Sequence, residues 1–225
     1  MGEAIGQVLS FGVGVSLSPV PIIAVVLMLA TPRGATNGPA FLLGWVVGLA
    51  VVGTIVLVVS SGAGATDDGA PATWISIVKL LLGLALLALA VRQWRGRPHG
   101  DAEPQLPKWM SAIDAFTPAR SVAMGVALSA INPKNLLLAA GAATAIASTG
   151  ASSGDQAVAL AVFIVVATLG PGIPVAIFFF MGDRAPKVLD GLKEWMTREN
   201  ATIMAVLCLV IGAKLIGDAI SGLSA

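Results

Sequence analysis

The chain predicts an all-α membrane protein: six transmembrane helices set out as two inverted three-helix repeats, with helices 1 and 4 broken near their middles. Three observations carry this. Of 225 residues, 56% are hydrophobic and 11% charged, with a mean hydropathy of +0.91, whereas an ordinary soluble domain is about a quarter charged. Apolar stretches recur at 3–31, 38–61, 73–94, 120–149, 156–181 and 200–222, each at or above the ~20 residues that cross the hydrocarbon. Finally, Gly14-Val15-Ser16-Leu17-Ser18 in the first stretch returns as Gly125-Val126-Ala127-Leu128-Ser129 in the fourth, and prolines follow both. The two copies lie three crossings apart, and an odd number of crossings inverts one relative to the other.

Span 1 opens Met1-Gly2-Glu3 without a basic segment, which reads as a retained span and not a cleaved signal. Pro19 and Pro21 sit near its middle. Lacking an N–H, they push the preceding residue away from helix and free carbonyls one turn back, and such groups must face protein or water, never lipid. Span 2 holds Gly44-Trp45-Val46-Val47-Gly48, a small-residue motif for close helix contact within the bundle or between the protomers of a homodimer. Span 3 carries Lys79. A polar, proline-containing linker at 96–118 then divides a first repeat, 1–95, from a second, 119–225. Within it, Lys108-Trp109-Met110 with Ile113 and Phe116 suggests a short interfacial helix.

Span 4 interrupts itself at Asn132-Pro133-Lys134-Asn135, and span 5 at Gly170-Pro171-Gly172-Ile173-Pro174. Interruptions at matching places in two halves point to a site built from broken helices. Packed kinks are the alternative. Span 6 places Lys214 four residues before Asp218. Cys208 is the single cysteine, so no intrachain disulfide forms.

Orientation follows from Lys and Arg in the loops. Of the 13 such residues, all but Lys79, Lys134 and Lys214 fall after spans 1, 3 and 5, while the loops after spans 2 and 4 hold Asp67, Asp68 and Asp155 and no base. With six spans, both termini lie outside the cytoplasm and the 95–119 and 183–199 loops lie inside. Anionic lipid at the bases of 92–97 and 184–198 is compatible with that reading.

The chemistry rests on the three lysines within spans. Lys79 and Lys214 lie near the outer ends, where a long side chain can snorkel to water. Lys134 is close to midspan, where an unpaired cation is costly, and it stands between two amides able to donate or accept. The candidate substrate-binding residues are therefore Ser18, Pro19, Pro21, Ser129, Asn132, Pro133, Lys134 and Asn135, with Lys79, Lys214, Gly170, Pro171 and Pro174 as further lining. His99 is the sole histidine and has no second ligand beside it for a metal. There is no Walker A sequence, no Ser–His pair and no paired carboxylate within the spans. No enzyme, cofactor or nucleic-acid partner is expected.

The blocks SPVPIIAVVLMLATPRG (18–34), LPKWMSAIDAFTPARS (106–121), LSAINPKNLLLAAGA (128–142), MGDRAPKVLDGLKEWMTREN (181–200) and IGAKLIGDAI (211–220) together resemble the GAP family. These are the glycopeptidolipid- and sulfolipid-addressing proteins of actinobacteria, within the lysine exporter superfamily. The resemblance covers nearly the whole chain. An inner-membrane protein is expected from its apolar spans, and the resemblance implies six helices and an export role, with cell-envelope glycolipids the named cargo of the family's best-known members. It also implies a pathway lined by the breaks in helices 1 and 4, here Ser18 to Pro21 and Asn132 to Asn135.

A midspan lysine without a buried acid favours an anionic substrate or anionic lipid headgroup for a secondary exporter. Export of a small solute, such as an amino acid or an ion, is the first alternative, although a cation would want a buried carboxylate. A non-transporting membrane partner of an envelope-lipid export system is the second.

Overall fold

The computed structural model describes residues 2–62, 73–97 and 108–224, and every regular element among them is helical. Asp67, Asp68, His99 and the rest of the 98–107 stretch of the linker lie outside the described residues. Four helices are long and apolar enough to cross a membrane: α3 (Gly34–Gly62), α4 (Thr73–Arg95), α7 (Ser153–Phe180) and α8 (Ala185–Leu223), the last counted together with the short turn before it. Two bent pairs reach that length only when taken together. They are α1 (Gly2–Ser16) with α2 (Pro19–Leu29), bent by 52°, and α5 (Pro118–Val126) with α6 (Pro133–Ala147), bent by 63°. Counting each pair as one span gives six.

Both bends fall where the prolines predict them. Ser18 is extended and Pro19 opens α2 in the first helical turn, where a missing N–H costs nothing. Between α5 and α6 the chain makes one π turn, Ala127–Ile131, in which Asn132 N–H reaches back to Ala127 O at 3.1 Å. Asn132 then caps α6, its Oδ1 accepting from Lys134 N–H at 3.1 Å. The first prolines of the two second halves, Pro19 and Pro133, are not in register with the Gly-Val-x-Leu-Ser repeat. In the second copy the helix runs further before it breaks.

Glycines bring the helices together. Gly44 faces the Val122 backbone, Gly48 faces Ser129 Oγ, and Gly125 answers from the other side against Phe41 O, so the small-residue motif of α3 is used within the bundle against α5 and the π turn. On α4 and α8, a Cβ at Gly83 would lie 2.9 Å from Gly212 O, and one at Gly212 would lie 3.0 Å from Gly83 O. These two helices make the most extensive pairing in the molecule. α1 packs on α6 and α7, and α2 on α7 and α8. Exposed Leu, Val and Ile line the outer faces of α3, α4, α7 and α8, as a lipid-facing surface requires.

Three expectations change. α7 runs unbroken through Pro171 and Pro174; Gly170 lets its backbone approach Ser16 O, so the interruption in span 5 is a packing feature beside the α1–α2 bend. The 183–199 segment is not an open loop: from Ala185 it is helical and continuous with the last span. The segment Lys108–Ala115 forms a 3-10 helix, yet Met110, Ile113 and Phe116 are buried against protein and not at a lipid interface. It packs on α2, and Asn37 Nδ2 donates to Phe116 O at 3.1 Å to hold it.

Candidate functional site

The two bends face each other, and what each frees the other uses. Because Pro19 has no N–H and Ser18 N–H turns to Val15 O at 3.1 Å, Gly14 O drops out of the helix ladder. Lys134 Nζ donates to that carbonyl at 2.8 Å and to Ser18 Oγ at 2.6 Å. The Ser18 hydroxyl donates in turn to Asn135 Oδ1 at 2.8 Å. Asn135 Nδ2 donates to Leu128 O at 2.9 Å, the carbonyl left over when Asn132 N–H slips back to Ala127. The result is a continuous polar chain across the middle of the bundle, from α1 to the π turn.

Lys134 is 2% exposed. Its ammonium has three donors, and two are taken, both by neutral oxygens; no carboxylate pairs with it among the described residues. Charge-assisted bonds of this kind contribute about 1.5–3 kcal/mol each, which offsets much of the burial. The arrangement leaves the Lys134 amine without an acidic partner among the described residues.

A cavity of about 460 Å³ lies beside it, with Asn132, Pro133 and Lys134 on one wall. The opposite wall comes from the arginine end of α4, with Arg92 and Gln93, and from Asn200 and Met204 of α8. Asn200 Oδ1 is buried and has no hydrogen-bond partner among the described residues. The site therefore offers two cations and three amides, and no acid. It suits an anion that also carries hydrogen-bonding groups.

The other sequence candidates divide. Ser18, Asn132, Pro133, Lys134 and Asn135 lie together at the two facing bends, with Pro19 and Pro21 buried in the first turn of α2. Ser129 does not join them. It is fully buried, bonds Val126 O at 3.2 Å and packs on Gly48. Gly170, Pro171 and Pro174 lie behind α1, outside the cavity lining.

Lys79 and Lys214 sit at the far end of the bundle, and neither simply snorkels. Lys79 is 7% exposed and donates to Ser148 Oγ at 2.9 Å. Lys214 pairs with Asp218 at 2.6 Å and donates to Gln7 Oε1 at 2.8 Å. Sequence reasoning missed Arg92, Gln93 and Asn200, which read as loop-edge polarity; a helical wheel of α4 that put Arg92 on the face of Leu89 and Gly96 was the available signal. For Gly14 O the signal was the freed carbonyl one turn back that Pro19 implies.

Among the described residues no group of three or more His, Cys, Asp or Glu is placed to hold a metal ion. Neither a curated protein nor a solved structure matches the chain. A family model does, over residues 8–221, which takes in both bends, the lysine network and the cavity. The chain therefore belongs to the family described as Sap, sulfolipid-1-addressing protein.

Proposed function

We propose that the protein is a secondary exporter of the inner (plasma) membrane that carries an anionic substrate, with the headgroup of an envelope (glyco)lipid as the best fit. The observation that carries this is Lys134, a buried cation with only neutral partners at the wall of a polar cavity. A charge held there without a counter-ion gains most from an incoming anion. Family membership supports a lipid over a free solute. The substrate is moved and not chemically altered.

In this reading each bent pair is one span, the six spans form two inverted halves, and both termini lie outside the cytoplasm. The side-chain contacts support it: Gln7, Lys79, Ser148, Lys214 and Asp218, all from predicted outer ends, meet at one end, and Arg92 and Asn200 meet at the other. The cavity then faces the cytoplasm. The α4–α8 pair, one helix from each half, closes against α1 and α6 at the outer end and stands off from α6 at the inner end. Export requires that pair to rock.

The test is flux from proteoliposomes loaded with a fluorescent sulfated glycolipid, its uncharged parent glycolipid, or lysine. Transport of the sulfated form, lost in Lys134→Met and retained in part by Lys134→Arg, is the expected result. Transport of lysine instead would establish the small-solute alternative. Binding of the sulfated lipid without any flux would establish a partner of another export system.

A further inference from the structure

The arginine end of α4 has a second face that the cavity does not use. Leu89, Arg92, Gln93 and Gly96 line the cavity. Ala90, Val91, Trp94 and Arg95 instead join Ala205, Val206 and Leu209 of α8 to line a separate groove of about 440 Å³. Ala90 and Ala205 are buried and small, whereas Val91, Trp94, Val206 and Leu209 are each half-exposed. The groove is thus a shallow apolar trough, open sideways where the bilayer must lie.

Its head is basic. Arg95 lines it directly, and Arg97 lays its guanidinium 3.6 Å from the centre of the Trp94 ring. Arg97 Nη1 is buried and without a hydrogen-bond partner among the described residues. α4 contains no Asp or Glu, and neither arginine makes an ion pair among the described residues. Tryptophan beside arginine at a span end marks headgroup depth.

We propose that this α4–α8 groove binds one anionic phospholipid of the surrounding leaflet, its phosphate held by Arg95 and Arg97 and one acyl chain lying along Val91, Trp94, Val206 and Leu209. The match is one of charge and shape together. Guanidinium groups are planar, bidentate partners for phosphate, and an apolar trough running away from them takes the chain at the depth it already occupies. Basic side chains at a leaflet surface attract anionic lipid, and a groove makes that attraction local to one site. This lipid is not the transported substrate, and it sits on the opposite face of α4 from Lys134.

The experiment uses the full chain purified into nanodiscs of phosphatidylcholine with or without phosphatidylglycerol, read by native mass spectrometry and thermal unfolding. The parent should retain one phosphatidylglycerol with a preference on the order of tenfold over phosphatidylcholine, and its unfolding midpoint should rise with phosphatidylglycerol content. Arg95→Gln, an exposed change, should reduce the preference and Arg95→Gln/Arg97→Gln should remove it. Val206→Trp, which fills the trough from an exposed position, should displace the lipid with both arginines intact. Lys134→Met should leave the preference unchanged. Equal retention of the two lipids by the parent would overturn the proposal, as would a preference that survives the double arginine variant. Loss of the preference in Lys134→Met would place the lipid in the cavity and overturn it as well.

Discussion

Lys134 holds two oxygens at 2.6 and 2.8 Å, and its removal has two opposed effects. An unpaired lysine at the bilayer centre costs ~2.5–3.5 kcal/mol on insertion scales, which Lys134→Met relieves; the same change leaves Gly14 O without a partner, at about 1–3 kcal/mol. The substrate-free variant should therefore unfold within about 1 kcal/mol of the parent by thermal or denaturant titration. Stabilisation by an anionic ligand should vanish. Ser18→Ala behaves differently, since it takes one partner from Lys134 and the donor that Asn135 Oδ1 has among the described residues, and should destabilise by about 1–3 kcal/mol in the same measurement. The position of Lys134 was legible in the sequence, because midspan depth can be counted. Its main acceptor was legible only in part: a proline at 19 frees a carbonyl one turn back, but that this carbonyl faces Lys134 depends on how the fold sets one bend against the other. Ser129 stands outside this network, since its sequence match to Ser18 says nothing about which of the two faces the lysine.

At the scale of elements, proline alone does not tell a break from a kink. Pro19 and Pro133 each begin a new helix, whereas Pro171 and Pro174 stand inside one. What separates them is the partner waiting for the freed backbone, supplied across the bundle by Lys134 at the first and from the following turn of the same bent pair by Asn135 at the second. Pro133→Ala restores an N–H to that position, and the purified protein should be as stable as the parent or more so. Its transport rate in proteoliposomes should fall, because a straighter span 4 withdraws Lys134 from Gly14. Normal transport would reduce the bend to packing. Helix existence and the small-residue contacts were readable from apolar runs and glycine spacing, but the helical 185–199 segment was not. Its charges mimic a loop, while Ala185, Leu189 and Met196, buried at helical spacing, carry the contact.

Across the whole molecule, the polar bonds that cross between the α4–α8 pair and the rest are gathered at one end. Lys79 reaches Ser148 on the chain leaving α6, and Lys214 reaches Gln7 of α1, while the other end of the same pair is parted from Asn132 and Pro133 by the cavity. Cysteines at Lys79 and Ser148, in a Cys208→Ala background, joined by a reducible bis-thiosulfonate cross-linker about as long as the lysine side chain it replaces, should stop transport, and reduction should restore it. Unchanged flux in the cross-linked protein would show that this end does not open. The orientation is checked separately: a cysteine at Ser152 should react with an impermeant reagent on intact cells and one at Lys193 should not. The alternation of basic and acidic loops is the argument for that orientation. Which helices pack together most extensively was not legible, because that pairing joins α4 to the sequence-distant α8 through Gly83 and Gly212.

α8 is a single helix of 39 residues, about 58 Å long at 1.5 Å per residue and roughly twice the depth of the hydrocarbon. One end bears Lys214 and Asp218. The other packs on the far end of α2, where Ala185 and Leu189 lie with Val26 and Leu29 around a void of about 150 Å³. In the proposed exporter such a member would act as a connecting rod: a tilt at the Lys214 end would be delivered some 40 Å away as a push on α2, which follows α1 through the Leu17–Ser18 turn. That push would arrive at the hydroxyl that Lys134 holds, so the proposed opening at the Lys214 end and release of the lysine from Ser18 would be parts of one mechanical stroke.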